Sequence, residues 1–177
     1  MTFPDLIETK RLSLRRPQAS DAGPLSLYAG DIRVAQFLEH VPHPYPDGAA
    51  EAFIARSLSA EATEHVWVMD ALKIDGPEFI GVIGVKKSAH LQLGYWVGPP
   101  FWNTGYASEA AQAVVGAVRA TGAERLTARV VDENEASSHV LVNAGFRETG
   151  KADFFVVAAG RALPHRLFTL AFAGAAQ

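Results

Sequence analysis

The sequence predicts a mixed α/β fold: one central, mostly antiparallel sheet of about six to seven strands, flanked by about four helices. Three observations carry this reading. Between residues 66 and 97, three strand-like runs follow one another with only short turns between them, the pattern of an antiparallel meander. A helical stretch after Gly105 lies between strand-like runs at 91–97 and 126–131, and a strand–helix–strand unit implies one parallel pair. Of the 177 residues, 49% are hydrophobic, enough to build a real core. At this length a single domain over residues 1–177 is expected.

Taken in order, residues 11–15 alternate polar and apolar and read as a first strand, with Leu12 and Leu14 facing inward. Pro17 ends it. Ser20 or Asp21 can cap a helix reaching about Gly30. Residues 32–38 read as a second short helix. Pro42, Pro44 and Pro46 make 39–47 a stiff, extended loop. Asp47 can cap a helix over about 48–59 that carries Phe53, Ile54 and Leu58. Residues 66–74 read as a strand, Asp75-Gly76-Pro77 as a hairpin turn, and 79–85 as a strand buried on both faces. Gly81 and Gly84 mark either a bulge or a close approach of another backbone. After the strand at 91–97, Ala107, Ala111, Val114, Val115 and Val118 share one helix face, and Gly122 stops that helix. A strand at 126–131 leads into a helix that opens near Asn134 and ends at Gly145. Residues 154–157 and 167–172 read as two closing strands joined by a connection over 158–165.

Composition excludes several classes of function. The net charge is −3, and there is no basic cluster with interleaved aromatics, so a nucleic-acid partner is not expected. With no cysteine, a disulfide framework, a thiolate nucleophile and a thiolate metal site are all ruled out. His40 and His43 invite a metal reading, but structural zinc wants four ligands and no partners accompany them, so no metal is expected. The N-terminal residues do not read as a signal peptide, and no apolar run is long enough to cross a bilayer. A soluble, cytoplasmic protein without a membrane partner is the expectation.

The stretch around Gly105 carries the chemistry. The first turn of a helix leaves backbone N–H groups without partners, and the macrodipole adds partial positive charge there. A phosphate fits such a place, and Gly105 and Ala107 keep side-chain bulk out of the approach. No Gly-Lys-Ser/Thr closes the loop, so it is not a Walker A loop. The glycine spacing also excludes a Rossmann fingerprint. A plain turn before a helix is the bland alternative.

Trp102-Asn103-Thr104-Gly105-Tyr106-Ala107, followed by Ser108-Glu109-Ala110, resembles the acetyl-CoA pyrophosphate loop of the GNAT N-acetyltransferase superfamily. The usual pattern there is Gln/Arg-x-x-Gly-x-Gly/Ala, from which Trp102 departs at the first position. The tryptophan form resembles the branch of ribosomal-protein N-terminal acetyltransferases (RimJ/RimL-like), where Asn103 stands in place of a glycine. The opening Glu8-Thr-Lys-Arg-Leu-Ser-Leu-Arg15, with Asp21-Ala22 after it, is similar to the start of the same branch. Asn134-x-Ala-Ser137, followed by Asn143-Ala-Gly145-Phe146, resembles the second half of its acetyl-CoA site.

The resemblance implies a GNAT fold in which the parallel pair splays and the pantetheine arm enters the opening. It implies acetyl-CoA as cosubstrate, held by Tyr95, Trp96, Val97, Trp102, Asn103, Thr104, Gly105, Tyr106, Ala107, Ser108, Asn134 and Ser137. The Tyr95 N–H would polarise the thioester carbonyl. Direct attack by an amine would then give a tetrahedral intermediate and a thiolate leaving group. Many GNAT enzymes place a tyrosine acid four residues before the Gly-Phe pair, where this chain has Leu141. Ser137 is the substitute, with a helix cap as its alternative role. Asn134 would contact the pantetheine or form an Asx-turn. Glu109 reads first as structural. Glu39, His40, His43 or a water are the candidates for general base, and the loop 39–47 would line the acceptor pocket. The acceptor would be a primary amine, either a protein N-terminus or a small molecule, and the protein a monomer or homodimer. The rival of another class is a non-catalytic acyl-CoA-binding regulator, which Leu141 favours and Ser137 argues against.

Overall fold

The computed structural model describes residues 2–172. Strands β1 (Leu6–Glu8) and β2 (Ser13–Arg15) lead into helices α1 (Ala22–Ala29), α2 (Ile32–Ala35) and α3 (Ala49–Leu58). Strands β3 (Glu64–Asp70), β4 (Gly81–Lys86) and β5 (Leu91–Val97) follow, then helix α4 (Tyr106–Ala120), strand β6 (Arg125–Val131) and helix α5 (Glu135–Asn143). Strands β7 (Arg147–Val156) and β8 (Arg161–Ala171) close the chain. All eight strands form one sheet in the order β1-β2-β3-β4-β5-β6-β8-β7. Every neighbouring pair is antiparallel except β5 and β6.

Strand alternation sorts the sheet residues onto two faces. Trp67, Met69, Ile83, Val85, Leu93 and Leu126 pack with Ala111, Val114 and Val118 of α4 and Leu141 of α5. Val66, Val68 and Val82 face the other way, against Leu25 of α1 and Ile54 of α3. With both faces covered, β4 is buried on both sides, as its unbroken apolar run requires. The parallel β5–β6 pairing is short. Only Leu91↔Leu126 and Gln92↔Thr127 are in register, reinforced by the Thr127 hydroxyl donating to the Leu91 carbonyl at 2.9 Å. Beyond them the two strands part, and the sheet is split from Leu93 onward.

Four local expectations are corrected. A hairpin strand, β1, precedes the expected first strand; at three residues it is too short to show periodicity. The strand expected over 66–74 runs Glu64–Asp70, because the Asp70 carboxylate accepts from the Leu72 amide at 2.8 Å and starts a 3-10 turn at Leu72–Ile74. The short helix expected over 32–38 covers only Ile32–Ala35. The connection expected over 158–165 is a tight turn, Val157–Ala159 with left-handed Gly160, and Arg161 already begins β8. Pro164 lies within this strand, where it pairs with Asp153 and its carbonyl accepts from the Asp132 amide at 2.8 Å. Gly81 and Gly84 mark no bulge, since the register of β4 is continuous on both sides; at Gly81 the other reading holds, because a Cβ there would run into the Trp96 backbone carbonyl.

Candidate active site

The split between β5 and β6 exposes a defined set of backbone groups. In an antiparallel ladder, each residue turns both its N–H and its C=O to the same side, and the side alternates. The Gly98 amide donates to the Ile80 carbonyl next to β4 at 2.8 Å, so Trp96 and Gly94 also face β4. Leu93, Tyr95 and Val97 therefore face the split. The Trp102 indole confirms the direction, since its Nε1–H donates to the Val97 carbonyl at 2.7 Å. That bond commits the Val97 carbonyl and leaves its N–H, with that of Tyr95, turned into the opening. Trp96 stands outside this set: its backbone faces β4 and its ring packs against Phe79 in the second core.

The wide end of the split leads to the start of α4. Asn103 and Gly105 both lie in the left-handed region, at φ +61° and +81°. Asparagine is one of the few side-chain-bearing residues that tolerate this conformation, so Asn103 serves where the related pattern has glycine. Thr104 closes the loop by donating its hydroxyl to the Phe101 carbonyl at 2.6 Å. The 15-residue helix then opens with Tyr106, Ala107 and Ser108, whose amides have no intrahelical acceptor. A Cβ at Gly105 would meet one atom only, Arg11 Nη2 at 3.3 Å, so the approach is otherwise clear. These features fit a bound pyrophosphate.

Arg11 and Glu109 brace this loop from outside. Glu109, in the first turn of α4, accepts from the Thr9 hydroxyl, the Arg11 amide and Arg11 Nε, each at 2.7 Å. Arg11 Nη1 in turn donates to the Thr104 carbonyl at 2.8 Å, and the guanidinium lies 4.6 Å from the Tyr106 ring centre. Glu109 is thus structural. Arg11, read from sequence only as a strand residue and part of a motif, is the cation nearest the loop. Burial alone would raise the Glu109 carboxyl, but the Thr9 and Arg11 hydrogen bonds hold it below its ordinary value. A carboxyl held low in the folded state stabilises above its unfolded pKa, and that contribution is lost as pH falls through the folded value. Glu109→Gln is therefore expected to cost about 1–2 kcal/mol near neutral pH, the lower range for charge-assisted bonds because both side chains are partly solvated. Thermal melting should show this gap closing as pH drops below the carboxylate range.

Ser137 of α5 meets the Tyr95 side chain of β5 on the sheet face that α4 and α5 cover. Asn134 caps α5, its Oδ1 accepting the Ser137 amide at 3.1 Å. The cap is therefore Asn134, and the Ser137 hydroxyl is free for another task. Its Oγ lies 2.9 Å from the Tyr95 hydroxyl, which also reaches the Ser137 carbonyl at 2.9 Å. Burial pushes the Tyr95 phenol above its ordinary value, against a smaller lowering by Ser137, so it keeps its proton at neutral pH. Leu141 is fully buried in the first core.

On the opposite face, the candidate bases are dispersed. Glu39 pairs with the Arg129 guanidinium from β6, which lies 3.9 Å from the Phe154 ring centre. Buried His165 stands 4.0 Å from Glu39 and turns Nδ1 to the Leu163 carbonyl at 2.8 Å. His40 is exposed, and His43 turns its Nδ1 to the Gly30 carbonyl at 3.0 Å. Among the described residues, no cluster of three or more potential ligands could hold a metal ion. No helix there is long and apolar enough to cross a membrane.

Comparison with known proteins agrees with this geometry. Residues 11–147 match the family described as the acetyltransferase (GNAT) domain. An uncharacterized N-acetyltransferase, p20, of Bacillus licheniformis is 26% identical over 172 residues, covering 94% of this chain and 96% of that protein. A GNAT-family acetyltransferase from Bacillus anthracis superposes with a TM-score of 0.80 at 20% identity, over 94% of this chain and 98% of that one. RimJ of Mycobacterium smegmatis, solved with CoA-disulfide, gives a TM-score of 0.80 at 24% identity, over 98% and 90%. With its sheet split beside a glycine-started helix and a family match spanning most of its length, this chain belongs to the GNAT family of acetyltransferases.

Proposed function

We propose that the protein moves an acetyl group from acetyl-CoA to a primary amine by direct attack. The observation that carries this reading is the split itself. The N–H groups of Tyr95 and Val97 face an opening that ends at the first-turn amides of α4. The pyrophosphate would rest on residues 103–108, with Arg11 beside it, and the pantetheine would follow the free edge of β5. Bound there, acetyl-CoA supplies an activated acyl thioester. The Tyr95 N–H then donates to the carbonyl oxygen as charge develops on it. The amine nitrogen forms the new C–N bond, the C–S bond breaks, and the sulfur takes up a proton.

The Tyr95–Ser137 pair can assist that last step without moving a heavy atom. In one arrangement the phenol donates to the Ser137 carbonyl and the serine hydroxyl donates to the phenol. In the other the phenol donates to Ser137 Oγ, which releases the serine proton toward the split. The second arrangement places a hydrogen bond on developing thiolate charge. The loop 39–47 and the Glu39–Arg129 pair form the wall on the acceptor side. The opening motifs resemble those of ribosomal-protein N-terminal acetyltransferases, which supports a protein N-terminus as acceptor, with a small amine as the alternative.

The test is CoA thiol release from acetyl-CoA with peptides beginning in alanine or serine, and with spermidine. Turnover with at least one of these amines is expected. Tight CoA binding without thiol release from any of them would favour a non-catalytic acyl-CoA-binding protein, the reading to which Leu141 points.

A further inference from the structure

We infer that Glu64 is the general base that takes the proton from the acceptor amine; the inference rests on the acetyl-transfer reading above. Glu64 opens β3 and shares a sheet face with Val66 and Val68, the face opposite α4. Its cross-strand neighbour on β4 is Lys86, and diagonally across from it lies Gly84. Val66 pairs with Gly84 on β4, and Gly84 pairs with Gly94 on β5. With no Cβ at either position, the face carries a bare trough from β3 to the edge of the split. The Glu64 side chain leans into it: a Cβ at Gly84 would lie 2.6 Å from Glu64 Oε1 and 3.2 Å from its Cδ. A Cβ at Gly94 would meet nothing within 4 Å. The carboxylate therefore borders open space directly over the residue before Tyr95. Facing Cβ positions in such a pair are about 5 Å apart, so an amine over Gly94 is within reach of Glu64 directly or through one water.

The carboxylate is also uncommitted. Among the described residues it makes no hydrogen bond or ion pair, whereas Glu39 is bound to Arg129. Burial raises its pKa, and the Lys86 charge beside it on β4 offsets this only in part, which makes it a better proton acceptor than an ordinary carboxylate. The other charged groups around it are Arg56 of α3 and Glu61, which line the same cleft of about 380 Å³, and Arg16, whose guanidinium donates to the Val66 and Ser57 carbonyls there. The cleft opens the far side of the carboxylate to water, so the proton it takes up can leave. The step balances: the acceptor ammonium gives one proton to Glu64, and its nitrogen lone pair forms the C–N bond. The second nitrogen proton goes to the departing sulfur as the C–S bond breaks.

The experiment is steady-state kinetics of Glu64→Gln and Glu64→Asp with alanine- and serine-started peptides and spermidine, beside CoA calorimetry and melting. Glu64→Gln is expected to lower kcat/KM by about a hundredfold or more, the usual scale for a lost general base. It should also remove the acid limb of the pH profile and leave CoA affinity unchanged. Added formate should restore part of the rate. Glu64→Asp, which keeps the charge on a shorter arm, should fall in between. A carboxyl raised in the folded state opposes stability above its folded pKa, so the melting temperature of Glu64→Gln at neutral pH should hold or rise. A Glu64→Gln rate close to wild type, or a melting temperature that falls in step with activity, overturns the assignment alone. Absence of thiol release by the wild-type protein with every probe overturns the acetyl-transfer reading and this inference with it.

Discussion

Gly105→Val is expected to weaken CoA binding by at least two orders of magnitude. Gly105 has φ +81°, where L side chains are strained and β-branched ones most of all. Valine must therefore either hold a costly backbone or move the loop. A Cβ there also points at Arg11 Nη2, 3.3 Å away, the cation best placed to meet a phosphate. Moving the loop turns the amides of Tyr106, Ala107 and Ser108 away from one common point. Losing two or more charge-assisted bonds costs about 3 kcal/mol or more, and each 1.4 kcal/mol is about tenfold in affinity. Calorimetry with CoA reads the loss, and melting of the free protein shows whether the variant still folds. Unchanged affinity in a folded variant would move the pyrophosphate site elsewhere.

Ser137→Ala is expected to lower kcat by about ten- to a hundredfold while CoA affinity changes little. A hydrogen bond to developing charge contributes about 1.5–3 kcal/mol, and about 1.4 kcal/mol corresponds to a decade in rate. Such a bond strengthens mainly in the transition state, so the ground-state complex loses little. The structure sharpens the control. Asn134, not Ser137, caps α5, so a cap effect of about 1 kcal/mol belongs to Asn134→Ala. Tyr95→Phe should share the Ser137 defect, because it removes the group that frees the serine proton. Kinetics and melting on the same preparations separate the cases. A normal kcat in Ser137→Ala would leave the Tyr95–Ser137 contact a structural tie.

Much of this architecture was readable from residue pattern. The meander, the α4 face and the helix stops at Gly122 and Gly145 follow from periodicity and from glycines at φ +77° and +94°. The helix start after Gly105 was legible from its small residues, while the pyrophosphate reading came from the motif resemblance, since such a loop alone reads equally as a plain turn. Other features were not legible for physical reasons. β1 is three residues long, and β8 contains a proline that tertiary pairing overrides. The Arg11–Glu109 brace joins positions far apart in the chain, and no local pattern encodes it. Glu64 was hidden for the same reason: its significance comes from two glycines on neighbouring strands, each of which looks locally like a turn or bulge residue.

The split sheet means that the free protein carries a pair of strand edges inside itself. Beyond Gln92 and Thr127, β5 and β6 each present ladder groups to a gap that neither can close. Edges of this kind are usually a liability on a protein surface. Here they face each other at the centre of the sheet, and only a narrow, extended guest can satisfy both. Occupancy and folding are consequently one linked equilibrium. A ligand at a hundred times its dissociation constant adds about 2.7 kcal/mol to the folded state. On the reading proposed above, the loaded form is this sheet with one extended cofactor ribbon added between β5 and β6. The empty chain is that sheet with its middle ribbon drawn out.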